Sequence, residues 1–181
     1  MENNLRSNAR WDCPPKGWYK IKFDGALKGN PGIARCRIII KDENGYSNGA
    51  MEIPIGNQTN HIVEASDVLH GLLFAKSKNL EKICLEDDSL NIINYLNKVT
   101  TPSWTIHNII YKAINLINSF DECVITHYYR EANMAADWVV NVACKSHMKI
   151  VWYNGSDILI EGSSLIEYDQ IGTKQTNLKH D

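Results

Sequence analysis

Residues 19–32 read "YKIKFDGALKGNPG". Side chains alternate with a period of two in an extended chain, so Tyr19, Ile21 and Phe23 share one face and Lys20, Lys22 and Asp24 the other. The pattern predicts a strand that ends at Asp24 and runs into a loop rich in glycine and proline. A carboxylate there is either a solvated strand-end side chain or a group kept for a metal or a reaction, since loops at strand ends often carry function. Glycines from Gly25 onward let backbone approach a ligand closely, although a plain tight turn would use the same residues.

Working outward, residues 1–17 form a polar, proline-bearing lead-in, expected to be irregular. Downstream, Ala34, Cys36, Ile38 and Ile40 alternate with Arg35, Arg37 and Ile39, and a "DENG" turn leads to a third apolar segment interrupted by Pro54. This is a meander of three strands. From about Ile62 the spacing becomes helical, with Ile62, Ser66, Leu69, Leu73 and Lys76 on one side and Glu64, Val68, Gly71 and Ala75 on another. "KICLEDD" predicts a fourth strand, and "SLNIINYLN" a short helix capped by Ser89 or Asp88. Ile106, Ile109, Ile110, Ala113, Ile114 and Ile117 then make an amphipathic helix after Pro102. "ECVITHYY" predicts a fifth strand and "NMAADWVVNVACKSH" a last helix.

A hairpin meander followed by βα crossovers implies an α/β fold. Its mixed five-stranded sheet would combine a three-strand antiparallel meander with two parallel strands and carry helices on both faces. The domain is expected over residues 18–146. Residues 147–181 form a C-terminal extension whose polar tail is expected to be partly disordered.

Composition sets the outer limits. The 181 residues suit one domain, and 44% hydrophobic with 22% charged residues and a net charge of −2 exclude both disorder and a strongly basic nucleic-acid binder. A polyanion site must therefore be a local patch. Cys13, Cys36, Cys84, Cys123 and Cys144 are far apart and form no CxxC pair, which argues against a disulfide framework or a zinc site. They read as small buried hydrophobes. With no long apolar run and a polar start, neither a membrane span nor a secretory signal is expected, so the chain reads as cytoplasmic or nuclear, not secreted. The sequons at Asn57 and Asn154 are then coincidental.

Four carboxylates fall where solvation does not explain them: Asp24 after the first strand, Glu64 in the first turn of the first helix, Asp88 closing the fourth strand, and Asp137 among Ala136, Trp138, Val139 and Val140. An aspartate inside an apolar helix either pairs with a cation such as Arg130 or ligates a metal. Four hard oxygen ligands in one cleft would repel one another unless divalent cations neutralised them, which suits Mg2+ or Mn2+ and not zinc. Two such ions about 4 Å apart are the arrangement for phosphodiester hydrolysis. On that reading the partner of Asp24 is a metal. Asp67, one turn beyond Glu64, is expected to be solvated.

The stretches "FDGALKGNPG", "TNHIVEASDVLHGL", "LEDDSLNIINYL" and "HYYREANMAADWVVNVA" together resemble the ribonuclease H type 1 domain, most closely its plant reverse-transcriptase-like branch derived from retroelements. The similarity runs from about Trp11 to Cys144, with "SLIEYDQIG" in the tail also similar to that branch. It implies an RNase H-like fold and two Mg2+ or Mn2+ ions per site. It implies that Asp24 bridges both ions, that Asp137 helps hold the one carrying the attacking water, and that Glu64 and Asp88 hold the other. Asp87 is the rival of Asp88, which is preferred because the family motif places its aspartate directly before Ser89.

The resemblance further implies an RNA/DNA hybrid substrate, with Gly25, Asn30, Thr59, Asn60 and Ser89 as substrate-binding residues. Recognition of 2′-hydroxyls in a wide minor groove would select an RNA strand. Lys20, Lys22, Lys28, Arg35 and Arg37 are expected either to contact phosphates or to be solvated. Family members usually have glycines in place of Arg35 and Arg37 and an asparagine in place of His61. His127 has a spacing compatible with the mobile histidine of the bacterial type, but reads as a strand residue. The leading reading is a metal-dependent endoribonuclease acting on the RNA strand of hybrids. The alternative is a catalytically weak or inactive nucleic-acid-binding or regulatory module domesticated from a retroelement. A protein-interaction role has only the aromatic residues Trp152, Tyr153 and Tyr168 behind it.

Overall fold

The computed structural model describes residues 13–128 and 150–152. Its elements are β1 (Tyr19–Phe23), β2 (Ala26–Gly29), β3 (Gly32–Lys41), β4 (Ser47–Gln58), α1 (Asn60–Ser77), β5 (Lys82–Asp87), α2 (Leu90–Leu96), α3 (Trp104–Ile117), β6 (Glu122–His127) and β7 (Ile150–Trp152). The strands make one mixed sheet in the order β6-β5-β1-β3-β4-β7, with β2 paired to β3. As expected, β1, β3 and β4 form an antiparallel meander, while β5 and β6 are parallel to β1 and to each other.

Two strands exceed the expected five. The glycine-rich stretch after Asp24 is partly extended: β2 folds back on β3 with Gly29 opposite Gly32, and Gly29 closes the turn at φ +94°, a conformation that favours glycine. Its turn residues hid the pairing of Ala26, Leu27 and Lys28 with Arg35, Ala34 and Ile33. At the other edge Ile150–Trp152, within the expected extension, pairs with Glu52, Met51 and Ala50 of β4. The "DENG" turn forms as expected, with the Asp42 carboxylate accepting from the Asn44 and Tyr46 amides at 2.9 and 2.8 Å. Pro54 sits opposite Arg35, beside the register shift between Ala34 and Arg35, where a residue without an N–H is tolerated.

Alternation divides the sheet into two chemically distinct faces. Ile21 and Phe23 of β1, Cys36, Ile38 and Ile40 of β3, Met51, Ile83 and Leu85 point to one side. They form a single core with Ala65, Val68 and Leu72 of α1, Ile92 and Leu96 of α2, and Ile106, Ile110 and Ala113 of α3. All three helices therefore lie on this face. On α1 it is the Val68, Gly71 and Ala75 side that is buried, while Leu73 is exposed. Gly71 lets α1 lie flat on β1, because a Cβ there would stand 2.2 Å from the Phe23 ring.

The other face carries charge. Lys20 Nζ meets Glu86 Oε1 at 2.5 Å, Arg35 pairs with Glu52, and Arg37 Nη1 lies 3.3 Å from Asp24 Oδ2. Lys22 and Lys41 are 2% and 1% exposed, and Lys22 Nζ stands 4.6 Å from the centroid of the Tyr128 ring. The expectation that these strand cations are solvated or meet phosphates is corrected for Lys20, Lys22, Arg35 and Arg37. They are buried or nearly so, and pairing across strands offsets the cost of removing charge from water. Lys28 is exposed. The expected last helix with Asp137 and the expected polar tail lie outside the described residues. Among the described residues no helix is long and apolar enough to cross a membrane.

Candidate functional site

The site gathers where β1 and β5 end. These strands are parallel neighbours, so Asp24, directly after β1, and Asp87, the last residue of β5, leave the sheet at the same edge. The edge outside the carboxyl ends of parallel strands is where α/β folds commonly place a site. Asp24 extends the β1–β3 ladder by one rung, its amide donating to the Arg37 carbonyl at 3.0 Å. Glu64 arrives from α1. The helix begins at Asn60, earlier than expected, so Glu64 lies in its second turn.

Hydrogen bonds tie these groups into a line. Asn30 Oδ1 accepts from the Asn60 amide at 3.2 Å, and Asn60 Nδ2 donates to Glu64 Oε1 at 2.6 Å. Ser89 Oγ donates to Glu64 Oε2 at 3.2 Å, while the Ser89 amide donates to Asp87 Oδ1 at 2.7 Å. Thr59 precedes α1 and is exposed, its carbonyl accepting from the Ile62 and Val63 amides. Asn60 and Ser89 thus meet at Glu64, and Asn30 joins them through the Asn60 amide, while no side-chain hydrogen bond ties Thr59 to Glu64 among the described residues. Gly25 has a packing reason as well, since a Cβ there would meet Val63 Cγ1 at 2.4 Å and Asp67 Oδ2 at 2.5 Å.

Electrostatics separates the neighbouring aspartates. Burial pushes the Asp87 carboxyl up to about 7; the Ser89 amide opposes this, and the charges of Asp88, Glu64 and Asp24 add to it. Asp88 is exposed on the same rim, and both line a small cavity with Lys22, Phe23, Glu86 and Tyr128. His127 is the last residue of β6, a strand residue as expected. Its Nε2 lies 3.1 Å from the Asp88 carbonyl oxygen.

Asp24, Asp67 and Cys13 depart from the sequence reading. Asp24 is not bare, because Arg37 stands beside it. Asp67 is not solvated but 2% exposed, its Oδ1 accepting from the Arg37 amide at 3.2 Å. Burial, above all, drives its carboxyl well above the usual range, and the charges of Asp87 and Asp24 push the same way. Cys36 is buried and its thiol is raised by burial and then by Asp67, whereas Cys13 is exposed, contrary to the expectation for the cysteines. The signal for Asp67 was its place on the Val68 and Gly71 side of α1.

Asp24, Glu64, Asp87 and Asp88 offer hard oxygen donors alone, the set suited to Mg2+ or Mn2+. Burial is the main cause of the rise at Asp87, but the charges of Asp88, Glu64 and Asp24 add to it, and a divalent cation would offset those charges, so the donor set fits such an ion. Among the described residues no three acidic, histidine or cysteine side chains are grouped closely enough to hold one unaided. Asp137, the fourth expected ligand, lies outside them.

The profile of the reverse transcriptase-like family matches residues 22–143, and the chain belongs to that family. It is 30% identical over 164 residues to the "Putative ribonuclease H protein" of Arabidopsis thaliana, taking in 90% of this chain but only 26% of that protein. Among solved structures it is similar to RNase H1 from the archaeon Halobacterium salinarum, at 27% identity and a TM-score of 0.66, covering 70% of this chain and 97% of that one. LC11-RNase H1, solved in complex with an RNA/DNA hybrid, shares 25% identity at a TM-score of 0.63, covering 68% and 94%. The fold is RNase H-like.

Proposed function

We propose that the chain is an RNase H-type endonuclease that hydrolyses the RNA strand of RNA/DNA hybrids with Mg2+ or Mn2+. The observation that carries this reading is the gathering of Asp24, Glu64 and the Asp87–Asp88 pair at one sheet edge, where burial and mutual repulsion hold a carboxyl up to about 7. Similarity to RNase H structures, one of them in complex with a hybrid, supports it.

Asp24, Glu64, Asp88 and Asp137 would hold two ions, which when bound supply an activated water and stabilise the leaving oxygen. Asn60 and Ser89 each hold one oxygen of Glu64, fixing its rotamer before any ligand arrives. Asp87 adds negative charge behind Asp88 and draws cations to the edge. Asn30, Thr59 and Asn60, exposed beside the Gly29 turn, present amide and hydroxyl groups to a minor groove with its 2′-hydroxyls. Near-neutral overall charge makes binding weak and salt-sensitive.

The test is a labelled RNA/DNA hybrid incubated with the full chain and MgCl2 or MnCl2. Cleavage of the RNA strand is expected, lost with EDTA and in Asp24→Asn. A hybrid left intact where an active RNase H cuts it rejects the reading. Hybrid binding without cutting, unchanged in Asp88→Asn, would instead favour a binding module, for which the Arg37 contact on Asp24 is the specific observation.

A further inference from the structure

We infer that Arg37 is a built-in counter-ion that competes with the divalent cation for Asp24, so that loading the site requires its guanidinium to swing away. The inference rests on the proposed function and concerns the same carboxylate. Arg37 lies directly across the β1–β3 ladder from Asp24, whose amide donates to its carbonyl at 3.0 Å, so both side chains leave the sheet on one face. Nη1 stands 3.3 Å from Asp24 Oδ2, with the side chains 10% and 9% exposed. Water therefore screens the pair weakly, and its attraction is correspondingly strong.

The backbone of Arg37 cannot shift to release the contact. Its amide is held by Asp67 Oδ1 at 3.2 Å and its carbonyl by the Asp24 amide. Only rotation of the side chain frees Asp24. Among the described residues the other ion pairs on this face, Lys20–Glu86, Arg35–Glu52 and Lys82–Glu122, use carboxylates within the strands, where they neutralise the sheet. Arg37 alone among these cations sets its charge on the carboxylate at the strand end, at the edge shared with Glu64 and the Asp87–Asp88 pair. A guanidinium there occupies an oxygen that a cation needs and repels the cation's charge. Arg37 thus sets the cation concentration at which the site fills.

Isothermal titration of the full chain with MnCl2 alone tests this without recourse to activity. Arg37→Gln, which removes the charge and keeps much of the side-chain volume, is expected to bind Mn2+ about tenfold more tightly than wild type. Adding Asp24→Asn is expected to abolish that gain. Equal affinity of wild type and Arg37→Gln, or a gain that survives Asp24→Asn, overturns the inference and leaves the proposed function standing. Absence of Mn2+ binding by every variant overturns both. Should Arg37→Gln not fold, the Arg37 Nε–Hε resonance of the wild-type chain, followed by NMR during a MgCl2 titration, decides: movement of that resonance as the site fills supports displacement, and a stationary resonance refutes it.

Discussion

Asp87→Asn separates electrostatics from packing at the site. The Asp87 carboxyl rises from 3.8 to about 7, chiefly through burial, helped by Asp88, Glu64 and Asp24. Because its folded value exceeds its unfolded one, Asp87 contributes stability below about pH 4 that is lost as pH rises through about 7. A rise of about three units at about 1.4 kcal/mol each makes ionised Asp87 cost about 4 kcal/mol at pH 8. For a chain of this size that is a fall in Tm of roughly 10 °C. Asparagine keeps an Oδ1 to accept from the Ser89 amide but carries no charge. Thermal melts followed by circular dichroism in EDTA should therefore show wild type losing stability from pH 5 to pH 8. Asp87→Asn should lose much less and melt above wild type at pH 8, with a residual slope from Asp67, raised in the same direction. A variant that melts at or below wild type at pH 8, or a wild-type Tm flat across this range, would refute the crowding of charge around Asp87.

Other outcomes follow from single contacts. Gly71→Ala places a Cβ 2.2 Å from the Phe23 ring and should lower stability by about 1–3 kcal/mol in urea unfolding, despite alanine's better helix propensity. An unchanged midpoint would mean α1 does not lie so close to β1. Ser89→Ala removes the Oγ bond to Glu64 while Asn60 still holds the other oxygen, so the rate of Mn2+-supported hybrid cleavage should fall by a factor of roughly 3–10 with little loss of stability. A rate equal to wild type would show that Ser89 does not orient Glu64.

Much of this architecture is legible in the sequence because alternation is a strong signal. Tyr19–Phe23 and Ala34–Ile40 sort their side chains to the two faces as their period of two requires, and the isoleucine spacing of α3 buries Ile106, Ile110 and Ala113. β2 was not legible because glycine and proline frame only three other residues, Ala26–Lys28, and its pairing depends on the turn at Gly29. β7 is three residues long and forms only because β4 offers an edge. At the site, the place of Asp24 directly after β1 could be read from the strand pattern, whereas Glu64 lies in the second turn of α1 and Asp87, not Asp88, closes β5. The burial of Asp67 and the pairing of Arg37 with Asp24 could not be read, since a period of two says which face a charge takes and not what covers that face.

The central claim is that distant carboxylates gather at one sheet edge to hold hard cations. A crystal of the full chain grown with MnCl2 and examined by anomalous scattering tests it most directly. Two Mn2+ peaks beside Asp24 are expected, one also contacted by Glu64 and Asp88 and the other by Asp137. Asp137 or Glu64 turned toward another surface, with no peak at Asp24, would contradict it.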